Sequence, residues 1–114
     1  MKRPLTETEN MLVVRMAAKL PDRQRVQIIA DLEHATAEPL NDDSSIVRFE
    51  IVGYQRAPSI GRHTSVDGVA KDGDGAHLNV ILFTDQNDRL YELEIVRFEN
   101  GAIVGPDWTT LEFY

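Results

Sequence analysis

The sequence contains no cysteine. That removes disulfides, thiolate metal ligands and cysteine nucleophiles together, and it fits a reducing compartment. It also has no apolar run near the roughly 18 residues a membrane span needs. The start, MKRPLTETEN, turns polar at once, so neither a signal peptide nor a membrane span is expected. Gly53 and Gly61 stand alone, without the Gly-Lys-Ser/Thr that closes a phosphate-binding loop. The histidines, His34, His63 and His77, have no second histidine or carboxylate at metal-ligand spacing. Ser44, Ser59 and Ser65 lack the G-x-S-x-G elbow of a serine nucleophile. The stretch DGDG, Asp72 to Gly75, lacks the further oxygen ligands and closing Glu of a calcium loop, so it reads as a turn. No catalytic residue, metal or cofactor is assigned from sequence, and the expectation is a cytoplasmic protein that is not an enzyme.

What the chain does have is acid, and the acid is unevenly placed. Residues 1–40 hold six cations and six carboxylates, whereas 41–114 hold six cations and thirteen carboxylates, so the whole net charge of -7 sits in the second part. A field of that sign repels phosphate backbones and excludes nucleic acid as a ligand class. It attracts a basic protein and also keeps a small protein soluble. At 114 residues and 42% hydrophobic, the chain can build one core without staples, and we expect one domain over residues 1–114.

The periodicity changes along the chain. Thr6 and Glu9 have capping-box spacing ahead of Leu12, Val13, Met16, Ala17 and Leu20, which share a helical face. Pro21 ends that helix. Asp22 can cap a second one, in which Val26, Ile28, Ile29 and Leu32 form the apolar stripe. The helical pair covers 6–36 and the short link makes it a hairpin. TAEPLNDDSS reads as loop. From 45 onward the period is two: Val47, Phe49 and Ile51 alternate with Arg48 and Glu50. QRAPSIGRH, 55–63, reads as a mobile surface loop. The tail alternates Thr109, Leu111 and Phe113 against Trp108, Thr110 and Glu112, and adds a last strand. Helices first and strands after give an α+β class: an N-terminal helical hairpin packed on one face of a four- to five-stranded antiparallel sheet covering 45–114.

Two hairpins allow register arithmetic. Thr84 opposite Arg89 pairs Leu82 with Tyr91, Val80 with Leu93 and Leu78 with Ile95, so these six side chains turn inward together. The other face then carries Phe83 with Leu90, Ile81 with Glu92, Asn79 with Glu94 and His77 with Val96. In the first hairpin Val69 opposes Leu78, and a bulge at Asp67–Gly68 is expected to keep Asp67 out of the core and bring Val66 in.

The mixed outer face is the candidate functional surface. Ile81 and Phe83 lie beside Asn79, Glu92 and Glu94, and the turns at either end add Asp72, Asp74, Asp85 and Asp88. Apolar residues ringed by carboxylates suit a basic protein partner with an apolar anchor. The alternative is a small enzyme or ligand-binding domain with a pocket near His77, between helices and sheet.

The start KRPLTETEN and the late strand LYELEIVRF resemble a group of short bacterial proteins that begin RxLTxxE, continue through two helices and carry a late strand reading LYELDIWK. Val96 and Arg97 stand here where the group often has Trp and Lys. Small acidic proteins of this look include the immunity proteins of contact-dependent growth inhibition systems. The resemblance implies a cytoplasmic protein that binds the toxic C-terminal domain of a secreted effector, commonly a nuclease, and blocks it as a monomer in a one-to-one complex. A homodimer through the same face is the other arrangement. The resemblance brings no functional residue with it.

Overall fold

The N-terminal segment is tied to both layers of the molecule by a single pair of side chains. Thr6 Oγ1 accepts from the Glu9 backbone at 3.1 Å while Glu9 Oε1 accepts from the Thr6 backbone at 2.9 Å, which is the capping box the spacing announces. The same Glu9 takes both terminal nitrogens of Arg3 at 2.8 Å. Arg3 in turn exchanges two backbone hydrogen bonds with Ala37, at 2.8 and 2.7 Å. The cap of the first helix thereby anchors that helix to a strand edge.

The computed structural model describes residues 1–58 and 61–113. Helices α1 (Glu7–Ala17) and α2 (Asp22–Leu32) precede six strands among the described residues: β1 (Ala35–Pro39), β2 (Ile46–Ile51), β3 (Arg62–Lys71), β4 (His77–Asp85), β5 (Leu90–Arg97) and β6 (Asp107–Phe113). The strands form one antiparallel sheet in the order β1-β2-β5-β4-β3-β6. Leu12, Val13 and Met16 of α1 and Ile28 of α2 meet Phe49, Val80 and Leu82 of the sheet in one cluster, each of these fully buried. Both helices therefore cover one face of the sheet, as α+β layering requires. No helix among the described residues is long and apolar enough to cross a membrane.

The sheet has more strands than the four or five expected. The extra one is β1, which takes Ala35 and Thr36 from the end of the expected helical pair, since α2 stops at Leu32, and the rest from the TAEPLNDDSS stretch read as loop. Ala-Thr-Ala-Glu-Pro has no bulky β-former to announce it, and only Ala37 is buried. Pairing with β2 on one side and with Arg3 on the other makes the strand. Arg62 and His63, expected in the 55–63 loop, belong instead to β3 and pair with Asp85 and Thr84. Ser59 and Ile60 of that loop lie outside the described residues. In α2, Asp22 is the first helical residue rather than the cap. Pro21 holds the cap position without a side-chain bond, and Asp22 pairs with Arg25 one turn on. Val26 is 63% exposed, because the buried side of this short helix runs through Ile28 and Asp31.

Both hairpins turn through three residues. Asp72 N–H donates to the Ala76 carbonyl and Gly75 sits at φ +89°, a left-handed position that glycine adopts without strain. The register moves by one, so Ala70, Gly68 and Val66 oppose Leu78, Val80 and Leu82. Val66 is in the core without the expected bulge at Asp67–Gly68, and the irregularity lies between Thr64 and Val66. In the second hairpin Asp85 N–H donates to Arg89 and Asp88 takes the left-handed position, φ 60°. A bulge at Tyr91 follows, since Thr84 opposes Leu90 while Phe83 opposes Glu92. The turn and the bulge each shift the strand by one residue, and together they restore the alternation. Leu82 opposes Leu93, Val80 opposes Ile95, and Leu78 opposes Arg97. Leu78, Val80, Leu82, Leu93 and Ile95 face inward, but Leu90 replaces Tyr91 in the core.

β6 is also irregular. Its pairing with β3 slips between Val69 and Lys71, and Trp108 joins Leu111 and Phe113 on the helix side instead of alternating away from them. Arg15 of α1 donates to the carbonyls of Trp108 and Leu111. A free edge strand is a template for unwanted pairing. Here Arg3 blunts one edge and Arg15 the other.

Candidate functional site: the outer face of the sheet

Strand alternation decides what the face opposite the helices shows. One row across the sheet reads Val69, Asn79 and Val96, the next Asp67, Ile81, Glu94 and Ile46, and the next Phe83, Glu92, Arg48 and Glu38. The helices do not cover this face, and its apolar members Val69, Ile81, Val96 and Ile46 are half-buried by their neighbours alone.

The carboxylates here are engaged by arginines of the same chain. Glu92 is 2% exposed. Arg48 reaches its Oε2 with Nε at 2.9 Å and Nη2 at 2.6 Å, and Arg62 reaches Oε1 at 2.7 Å. Arg62 also touches Glu94 at 3.3 Å and lies 4.0 Å above the Phe83 ring, which explains how an outward-facing phenylalanine is only 8% exposed. A carboxylate this buried needs such partners, because leaving it unpaired is costly. Both arginine side chains remain about two-fifths exposed, at 42% and 44%.

Tyr91, expected inside, stands on this face because of the bulge. Arg48 and Arg56 lie 5.3 and 4.1 Å from its ring. Arg56 runs inward from there to Asp85 at 2.9 Å and to the Leu90 carbonyl at 2.6 Å.

The acids expected at the ends of the face divide into buried and exposed. Asp85 is fully buried and organises its turn, accepting from Tyr54 Oη at 2.7 Å, from Arg56, and from the backbones of Asn87 and Arg89. Burial pushes its carboxyl up, but those bonds outweigh burial and hold it below the usual range. Asp72 is likewise buried, bound to Arg97 at 2.6 Å and to the Val104 and Gly105 amides at 2.8 Å. Asp72, Asp85 and Glu92 therefore cannot present free carboxylates to a partner, as the sequence reading assumed. Asp74 is exposed but paired with Arg97, Glu94 is partly exposed, and Asp88 is exposed with His63 4.0 Å away. Asn79 is occupied by Asp67 and the Gly68 carbonyl.

His77 sits exposed on the outer side, the face expected for it, stacked on Phe98 at 5.3 Å between centroids. The hollow it lines, with Val69, Lys71 and Thr110, lies beside β6 and not between helices and sheet, where the alternative reading put a pocket. Among the described residues, no group of three or more His, Asp or Glu side chains is placed to hold a metal.

Sequence reasoning missed the arginines. Arg48 was legible as outward-facing from its alternation with Val47 and Phe49. Its meeting with Glu92 depends on β2 lying beside β5, a long-range pairing that no local pattern encodes.

A two-layer α+β domain with one bare, ion-paired sheet face is the class these observations define. The chain belongs to the family described as a domain of unknown function (DUF6984), which it matches over residues 2–105. No curated protein and no solved structure matches it.

Proposed function

We propose that this protein is an immunity protein that binds a cognate bacterial toxin domain, a basic nuclease by charge, and neutralises it in the cytoplasm. The outer sheet face is the contact surface. The observation that carries this reading is the cluster of the half-buried Tyr91 and Arg48 with the exposed Arg62 on a face the helices leave bare. Tyrosine and arginine dominate the energetic centres of protein interfaces. Here both arginines stand pre-positioned by Glu92, so they lose little side-chain freedom on docking.

The ion pairs change the mechanism that free carboxylates would have suggested. Most acids of the face are already satisfied, so they do not act as a string of loose phosphate mimics. The chain's net charge of -7 steers a basic partner, while Tyr91, Ile81 and the Arg48–Glu92–Arg62 triplet make the contact. Glu94 and Asp88 retain exposed carboxylate surface for lysines or arginines of the partner. The KRPLTETEN start and the LYELEIVRF strand resemble a group of short bacterial proteins, and the small acidic proteins of that look include immunity proteins, which supports the same reading.

The test is co-expression with the toxin domain encoded beside the gene, scored by cell survival, together with co-purification of a one-to-one complex. Survival no better than with an empty vector removes the proposal for that partner. A stable homodimer in light scattering that buries Tyr91 would reassign the face to self-association.

A further inference from the structure

On the other side of the sheet, away from the surface just described, the two layers part at one end. A cleft of about 480 Å³ opens between the start of α1, the segment 43–45 and the segment 103–108. Its floor is made of core residues: Leu12, Val47 and Leu93, with Ile95 beside them. Ile103 and Trp108 form a wall. Leu12, Val47 and Leu93 are themselves sealed, at 0%, 1% and 2% exposure, so the apolar surface open to the cleft is that of the half-buried Ile95, Ile103, Pro106 and Trp108. The volume falls within the roughly 300–1,000 Å³ typical of sites that enclose a bound group.

The walls are held in place. Asn41 donates to Ser45 Oγ at 2.6 Å and accepts from the Ile46 amide at 3.2 Å, which fixes one side. Asp72 holds the Val104 and Gly105 amides from behind, and Arg15 holds the Trp108 carbonyl at 3.0 Å. The rim's charge is equally defined. Arg3, the cation of the lining, is spent on Glu9, and Glu9 on Arg3. Asp43 accepts from the Ser45 side chain and from the Ser45 amide, the latter at 3.0 Å, and among the described residues no cation pairs with it. The hydroxyls of Thr8 and Ser44 are on the same lining, while the floor carries no polar side chain to orient a small polar ligand.

We propose that this cleft receives an apolar side chain of a protein partner that lies next to a lysine or arginine: the side chain fills the space between Ile95, Ile103 and Trp108, and the cation meets Asp43. This deepens the reading given above and rests on it for the partner's basic character. It assigns that partner a second contact, on the opposite side from Tyr91, so a flexible arm or loop of the partner makes it.

Trp108 is the single tryptophan of the chain, so its fluorescence reports on the cleft directly. The probes are the peptides acetyl-Lys-Leu-Phe-Lys-amide, acetyl-Glu-Leu-Phe-Glu-amide and acetyl-Lys-Gly-Gly-Lys-amide. The first is expected to give a saturable emission change, and the other two none or one requiring far higher concentration. Asp43→Asn should weaken the first peptide about three-fold, in line with an exposed ion pair, and more at low salt. Ile103→Gln should abolish saturation while circular dichroism stays unchanged. Equal responses to the basic and acidic peptides, or no response to any of them, overturn the proposal. So does saturation that is indifferent to both substitutions. Toxin protection is scored separately. Peptide binding without protection leaves the cleft assignment standing and removes the immunity reading. Protection without peptide binding does the reverse.

Discussion

Arg97 Nη1 donates to Asp72 Oδ2 at 2.6 Å across 25 residues of chain, and the same carboxylate collects the Gly73, Val104 and Gly105 amides. One aspartate thus ties the β3–β4 turn to the end of β5 and to the segment leading into β6. Burial pushes its carboxyl up, but the four bonds outweigh burial and hold its pKa at about 2, below the ordinary 3.8. A folded value below the unfolded one means that the stabilisation is present above the unfolded value. It is lost as pH falls from about 4 toward about 2. Glu9, Asp74 and Asp85 are shifted in the same direction. Urea denaturation at a series of pH values should show stability falling through this window. Asp72→Asn should lower stability at neutral pH and flatten the fall. An unaltered pH profile in the variant would refute the role given to Asp72.

The bulge that exchanges Leu90 for Tyr91 makes opposite predictions for neighbouring residues. Leu90 is fully buried, so Leu90→Ala should cost about 3 kcal/mol in equilibrium unfolding. Tyr91 lies outside against two guanidiniums, and Tyr91→Ala should cost about 1 kcal/mol. A reversed order would place Tyr91 inside after all.

Asp31 is 2% exposed on α2 and receives Arg89 at 2.7 and 3.0 Å and the Leu90 amide at 3.1 Å. It is the polar bolt between the second helix and the β4–β5 hairpin. Asp31→Ala leaves the Leu90 amide and the half-buried Arg89 without their acceptor, so a loss of about 3 kcal/mol is expected. A thermal midpoint within a degree of the parent would show that the pair contributes nothing.

Gly68 lies where β6 crosses close to β3. A β-carbon there would stand 2.9 Å from the Glu112 carbonyl oxygen and 3.1 Å from the Phe113 ring. Gly68→Ala should push β6 away at a cost of about 2 kcal/mol, with amide exchange accelerated in 107–113 relative to β4. Uniform protection across both strands would show that the approach is looser than the geometry indicates.

The two helices, the strands from Ile46 onward and the inward set from Leu78 to Leu82 were legible because each rests on a local period. β1 was not, since Ala35–Pro39 becomes a strand only by pairing. The hairpin registers were misjudged because turns of three residues and bulges are one-residue events that the alternation alone does not expose. In β4–β5 two such events cancelled, which is why the alternation was read correctly while Leu90 and Tyr91 were exchanged. The outer face was located from sequence, but its charge state was not. Asp72, Asp85 and Glu92 looked like free acids until the positions of Arg97, Arg56, Arg48 and Arg62 showed them paired.

The most direct test of the account is binding of the purified protein to the toxin domain encoded beside its gene, measured by titration calorimetry alongside survival of cells producing that toxin. The wild-type chain should bind one to one and protect. The double variant Tyr91→Ala with Ile81→Arg, confirmed folded by its thermal midpoint, should lose at least a hundred-fold in affinity, about 2.7 kcal/mol, and protection with it. Undiminished binding and survival with that variant would contradict a partner docked on the outer face.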